Sequence, residues 1–124
     1  MKNIGISIIT VVYNNIRGIE RTIQSVLNQS YNNIEYIIID GGSTDGTLDV
    51  IKRYENRISY WISEADEGIY NAMNKGILKA HGSFLNFMNS GDTFVTSTTI
   101  ERLIERYEKG DKIIYGNILK CYDR

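Results

Sequence analysis

The sequence predicts an α/β fold, a three-layer sandwich with a mainly parallel central sheet and helices on both faces. Three observations carry that expectation. Short apolar runs rich in β-branched and aromatic residues alternate almost without exception with segments of helical periodicity. The second run, Tyr36 to Ile39 within I-E-Y-I-I-I-D, is apolar without alternation, as in a strand covered on both faces. Three of the runs break off at polar turns, at Tyr13-Asn14, at Asp40 to Asp45 and at Asn89 to Asp92. Parallel strands joined by crossovers bring such turns to one edge of the sheet, where open α/β sheets bind ligands.

Gly5 to Val12 (G-I-S-I-I-T-V-V) is the first strand, ended by Tyr13-Asn14-Asn15. Ile19, Ile23, Val26 and Leu27 then fall on one face of a first helix. Gln29 to Asn33 is a loop, and the second strand follows it to Asp40. The turn residues Gly41 to Gly46 lead into a second helix near Thr47, capped from Ser43 to Asp45, with Leu48, Ile51 and Tyr54 inward. Ile58 to Ser63 reads as a third strand, with Tyr60 and Ile62 alternating against Trp61. After the acidic loop Glu64 to Gly68, a third helix shows the apolar stripe Ile69, Ala72, Met73, Gly76, Ile77 and Ala80, with Gly82 as its stop signal. Ser83 to Met88 is the fourth strand. Thr98 and Glu101 have capping-box spacing before a fourth helix with Ile100, Leu103, Ile104 and Tyr107 inside. Lys112 to Tyr115 reads as a fifth strand, and Asn117 to Tyr122 as a further extended piece.

Bulk properties narrow the function. A length of 124 residues, 42% of them hydrophobic and 23% charged, fits one ordinary globular domain. The net charge of −1 argues against duplex nucleic acid as a partner, because neutralising phosphates needs a basic surface. Cys121 is the only cysteine and His81 the only histidine. An internal disulfide, a zinc cluster and a Ser-His-Asp triad are therefore hard to build, and the chain reads as intracellular. No apolar run approaches the roughly 20 residues of a transmembrane segment. Ile4 to Val12 lacks the cleavage site of a signal peptide, so a strand is its better reading.

Several residues have both a chemical and a purely structural reading. Asp40 is an acceptor-only carboxylate at a strand end. It suits a base that donates from its ring nitrogen, such as uracil or guanine; equally, it can cap its own turn. Gly41 and Gly42 allow close approach of a ligand or supply positive φ. The loop has neither P-loop spacing nor G-x-G-x-x-G, so ATP and nicotinamide readings are weak. Asp92, beside Asn89, Ser90 and Gly91, suits Mg²⁺ or Mn²⁺ shared with substrate phosphates, or is a turn aspartate. Asn71, Asn74 and Lys75 share a helix face that fits a diphosphate or simply faces solvent. Asp66 and Glu67 favour the dipole of the third helix. His81, near the end of the same helix, has a similar structural reason. Tyr13 is placed to stack on a base or to pack.

Taken together, S-I-I-T-V-V-Y-N-N, E-Y-I-I-I-D-G-G-S-T-D-G-T, S-E-A-D-E-G-I-Y-N-A-M-N-K-G-I and F-L-N-F-M-N-S-G-D resemble the motifs of the family 2 glycosyltransferases of bacterial surface-polysaccharide synthesis, which have the Rossmann-like GT-A fold. The match runs from about Ile6 to Gly116. The resemblance implies a nucleotide-diphosphate sugar donor, often a UDP-sugar. It places Asp40 against the uracil ring, Thr10, Val11 and Tyr13 on the base, Asn74 and Lys75 near ribose and diphosphate, and Asp92 on Mn²⁺ or Mg²⁺. Ser43, Asp66, Asn89 and Gly91 complete the expected substrate-binding set. Asn89 and Gly91 stand where many members have aspartates, and Met73 where many have an arginine. No residue matches the general base, which members carry in an acceptor-binding half. On this reading, residues 1–124 are the nucleotide-sugar-binding part of a GT-A domain.

The expected activity is inverting transfer of a sugar to a glycan or lipid-linked acceptor. The chain is expected to be cytoplasmic, with a peripheral place at the inner membrane face resting on lipid-linked acceptors alone. An open sheet edge would admit a second copy and so a homo-oligomer. The alternatives are a nucleotide-binding module without catalysis and, last, a sugar-phosphate nucleotidyltransferase, whose glycine-rich basic loop is missing after the first strand.

Overall fold

The computed structural model describes residues 4–108. Its elements run β1 (Ile6–Val12), α1 (Ile16–Leu27), β2 (Ile34–Asp40), α2 (Thr47–Arg53), a 3-10 turn (Glu55–Arg57), β3 (Tyr60–Ser63), α3 (Ile69–Lys79), β4 (Phe84–Phe87) and α4 (Thr99–Glu108). The described strands form one parallel sheet in the order β3-β2-β1-β4. The chain steps outward from β1 to β2 to β3, then returns past β1 to lay β4 on its other side. That reversal creates a topological switch point at the carboxyl ends of β1 and β4, where a crevice opens in folds of this plan.

Alternation along the strands sorts the core into two layers. Ile6, Ile8, Val12, Tyr36 and Ile38 pack with Ile19 and Ile23 of α1, Val50 and Ile51 of α2, and Ile100 and Ile104 of α4. Ile9, Val11, Ile37 and Ile39 meet Ala72 of α3 on the opposite face. All seven residues of β1 are buried, serine and threonine included. Helix α3 sits close to the sheet because residue 76 has no side chain: a Cβ there would lie 2.5 Å from Ile9 Cγ2.

Local expectations are revised in four places. The α3 stripe is only partly covered: Ala72 and Gly76 are buried, whereas Ile69 and Ile77 are exposed, along with Tyr70 and Leu78. Among the described residues a single helix lies on this face of the sheet, and it does not cover them. Gly82 does not end α3, which stops at Ala80 in an extended conformation. It permits instead a close backbone approach, its Cβ position being 2.7 Å from the Ser7 nitrogen. The Thr98–Glu101 capping box is replaced by longer-range partners. Gln29 Oε1 accepts the Ile100 N–H at 3.1 Å, and Ser30 Oγ donates to Glu101. Tyr107 is partly exposed and meets Phe84 edge-on, with ring centroids 5.0 Å apart. The fifth strand and the extended piece expected after Lys112 lie outside the described residues. Among the described residues, no helix is long and apolar enough to cross a membrane.

Candidate functional site

The three turns leaving β1, β2 and β4 are stitched together by side chains. Asn14 takes a left-handed conformation, φ 47°, which asparagine tolerates better than most residues. Its N–H donates to Ser43 Oγ at 2.7 Å, and its Oδ1 accepts the Thr44 N–H at 2.7 Å. Asn15 caps α1, accepting the Gly18 N–H through Oδ1 at 3.1 Å, and its Nδ2 donates to Ser90 Oγ beyond β4. The Ile16 N–H reaches Asp45 Oδ2 at 3.0 Å. Hydrogen bonds from Thr47, its hydroxyl first, hold the Asp45 carboxyl below the ordinary range. In the β4 turn, Thr22 Oγ1 accepts the Gly91 N–H and donates to the Asp92 carbonyl. The carboxyl edge of the sheet is thus one connected surface.

Asp40 is engaged within its own turn. It is fully buried, and four protein donors converge on it. Oδ2 accepts the N–H groups of Gly42 and Ser43 at 2.9 and 2.8 Å and the Ser63 hydroxyl at 2.8 Å, while Oδ1 accepts the Ser43 hydroxyl at 2.5 Å. Three of these donors fall on Oδ2 and one on Oδ1. Asp40 organises the turn after β2 and ties it to the end of β3. Ser43 belongs to the same network.

The crevice at the switch point has a volume of about 570 Å³. Val11 to Asn15 line it from β1 and its turn, Asn89 and Ser90 from the β4 turn, and Asp66, Gly68, Ile69 and Ala72 from the loop and first turns of α3. Tyr13 is 65% exposed, with its ring free of the core. Of the expected substrate residues, Val11, Tyr13, Asp66 and Asn89 are brought together here. Others are not. Thr10 is buried with its hydroxyl 2.8 Å from that of Tyr36, whose phenol pKa burial pushes up. Asn74 is exposed on α3 away from the lining. Lys75 Nζ pairs with Glu64 Oε2 at 3.2 Å, in the loop before α3. Gly91 supports the β4 turn through its positive φ of 100°.

Asn15, Ser90, Gly68 and Ala72 line the crevice although sequence reasoning gave them no role there. Asn15 had a readable signal, an N-cap residue just ahead of a helical pattern. Ser90 had none, because its partner is 75 positions away.

A divalent cation can be tested against the residues of the β4 turn. Asn89 Oδ1 is buried without a hydrogen-bond partner, an acceptor left open at the crevice. Asp92 lies three positions on, in the turn closed by its own N–H to the Asn89 carbonyl at 2.9 Å. No group of three or more carboxylate, histidine or cysteine ligands exists among the described residues. One carboxylate and one amide oxygen fit a hard ion that completes its shell with phosphate oxygens and water.

Comparison with known proteins places this geometry. An uncharacterized glycosyltransferase of Mycobacterium tuberculosis is 41% identical over 101 residues, 81% of this chain and 38% of the relative. One from Haemophilus influenzae is 34% identical over 120 residues, 94% of this chain and 48% of the relative. The chain therefore spans less than half the length of these relatives. Among solved structures, Staphylococcus aureus TarS in complex with UDP-GlcNAc superposes with a TM-score of 0.78 at 23% identity, over 85% of this chain and 31% of that one. The mannosyltransferase PcManGT from Pyrobaculum calidifontis, in complex with GDP-Man and Mn²⁺, gives 0.74 at 20%, over 81% and 31%. These structural likenesses establish the GT-A fold. The sequence model described as glycosyl transferase family 2 matches residues 7–124, and the chain belongs to that family.

Proposed function

We propose that this chain forms the donor-binding half of an inverting glycosyltransferase. It takes a nucleotide-diphosphate sugar, UDP-linked by preference, whose sugar passes to a glycan or lipid-linked acceptor. The observation that carries this reading is the crevice at the switch point, walled by the turns after β1 and β4 and by the start of α3. TarS with UDP-GlcNAc and PcManGT with GDP-Man supply the donor class by analogy of fold.

Neighbouring strands lie about 4.8 Å apart, so the loop after β3 and the turn after β4 are roughly 14 Å from each other. An extended ligand with a base at one end and a diphosphate at the other matches that span. Tyr13, after the strand between them, offers an exposed ring face for the nucleoside. Helix α3 starts at Gly68 without a side-chain cap, and its first turn lines the crevice, an arrangement that favours an anionic ligand. At the β4 end, Asn89 Oδ1 and Asp92 would hold Mn²⁺ or Mg²⁺. That ion, when bound, supplies charge to stabilise the departing diphosphate.

In the reaction, the acceptor oxygen forms a bond to the anomeric carbon as the bond from that carbon to the diphosphate oxygen breaks, and a base takes the acceptor proton. This chain's share is to bind, orient and hold the donor; the base belongs to the acceptor-binding part of the full protein.

The test is calorimetric titration of the chain with UDP and GDP, with and without Mn²⁺, on the parent and on Asp92→Ala. UDP is expected to bind more tightly with Mn²⁺, and Asp92→Ala to lose that enhancement while still binding UDP. No binding of either nucleotide at millimolar concentration would reject the reading.

A further inference from the structure

Among the described strands, β4 is the outermost on its side of the sheet, in the order β3-β2-β1-β4. Its inner neighbour is β1, with Ile8 opposite Asn86. The Phe84 and Met88 N–H groups donate to the Gly5 and Ile9 carbonyls at 3.2 and 2.9 Å. Even-numbered positions of β4 therefore turn their backbone groups toward β1, and Leu85 and Phe87 turn theirs outward. That outward edge lacks the usual guards against pairing. F-L-N-F contains no lysine and no proline, its register with β1 runs without a bulge, and Leu85 is 39% exposed.

Beside this edge sits a polar group with no partner. Asn86 is 1% exposed and lies on the same sheet face as Ile8 and Met88, in the core layer of α1 and α4. Neither its Nδ2 nor its Oδ1 has a hydrogen-bond partner among the described residues. A buried donor and a buried acceptor left open together are destabilising, and an apolar side chain of similar size would avoid that loss. Asn86 is not among the residues that line the crevice, so the donor does not account for it.

We propose that a second copy of this chain pairs antiparallel along β4, with the two-fold axis passing between the two Asn86 residues. The outward positions set the register. Leu85 of each copy faces Phe87 of the other, and each such pair exchanges both of its main-chain hydrogen bonds. Asn86 then faces itself in a pair without main-chain bonds, where opposed side chains stand closest, with Cα atoms about 4.5 Å apart. One amide offers a donor and an acceptor, and the same amide turned by the two-fold offers the matching acceptor and donor. Solvent does not reach this amide, but a strand laid alongside does. The apolar side chains match as well: Leu85 meets Phe87 on the face of α3, and Phe84 meets Met88 on the other. A two-fold contact uses up the edge it joins, so assembly stops at the dimer.

The experiment is sedimentation velocity, from micromolar to millimolar concentration, on the full chain and on Leu85→Lys. It is joined by oxidative cross-linking of Asn86→Cys and Leu85→Cys, each made with Cys121→Ser to remove the one native cysteine. Circular dichroism confirms that each variant is folded. The parent is expected to show a monomer–dimer equilibrium. Leu85→Lys should weaken the dimer by about tenfold or more, since a lysine from each copy enters the same edge. Asn86→Cys should form a disulfide-linked dimer on oxidation, because residue 86 alone faces itself, whereas Leu85→Cys should stay unlinked. A parent that remains monomeric at millimolar concentration would overturn the proposal. So would a dimer that Leu85→Lys leaves unchanged, a cross-link at 85 in place of 86, or an assembly that grows past two copies. If Asn86→Cys fails to fold, the response to Leu85→Lys, at an exposed position, decides the matter.

Discussion

Asn15 Nδ2 and Ser90 Oγ are hydrogen-bonded at 2.5 Å across 75 positions of sequence, closing the crevice between the turns of β1 and β4. The same asparagine caps α1 through Oδ1, so one side chain couples the start of a helix to the rim of the proposed donor site.

Asn15→Ala is expected to cost about 1–2 kcal/mol of stability, the range for loss of an N-cap with an added tertiary bond. Chemical denaturation measures it. A double-mutant cycle with Ser90→Ala should show coupling of about 0.5–1 kcal/mol. Additive effects would mean that the bridge contributes nothing.

Asp40→Asn replaces an acceptor-only group by one with two donors, set among the N–H groups of Gly42 and Ser43 and the hydroxyls of Ser43 and Ser63. At least one donor then faces another donor. A loss of about 2–4 kcal/mol is expected from the unmade bonds to a buried charged group. Urea unfolding checks this.

Glu35 carries the pH dependence at the opposite end of the sheet. Burial pushes its carboxyl up, but hydrogen bonds from Ser7 Oγ and from the ring and N–H of His81 outweigh it, and the net shift is below its ordinary 4.5. A folded value below the unfolded one stabilises the protein fully above the unfolded value. That contribution disappears as pH falls through the folded one. The stability difference between parent and Glu35→Gln should therefore be greatest near neutral pH and shrink below about pH 4.5. A difference that grows on acidification would contradict the assigned bonds.

Gly76→Val drives branched methyl groups toward Ile9, whose Cγ2 already lies 2.5 Å from the position of a Cβ. Overpacking of this kind costs about 1–3 kcal/mol. The expected signature is a lower melting temperature, with local loss of amide protection in α3 ahead of β1.

Much of the fold is legible in the sequence because strand and helix periods differ and the chain alternates between them cleanly. The unbroken run Tyr36 to Ile39 announces its two-sided burial, and Tyr60, Trp61 and Ile62 divide between the two core layers as alternation requires. The site is legible only in outline. The turns that would meet can be named from topology. One of the bonds that hold Asp40 comes from Ser63, 23 positions away, and no local pattern records that. Gln29 as the cap of α4 is 71 positions from its target. Lys75 has the right charge for a diphosphate, and its pairing with Glu64 at 3.2 Å is a contact that spacing alone does not announce. Asp66 had a sufficient local reason in the dipole of α3; its place above Gly41 needs the alignment of β2 with β3.

The strand order β3-β2-β1-β4 has a consequence for biogenesis. Of the described strands, β1 leaves the ribosome first, pairs early with β2, and waits for β4 with its other edge bare. An unpaired, largely apolar strand edge is a template for association with other chains. The nascent protein is thus most vulnerable during the interval in which residues 41 to 83 are made, and chaperone capture should peak there and fall once Phe84–Phe87 has docked.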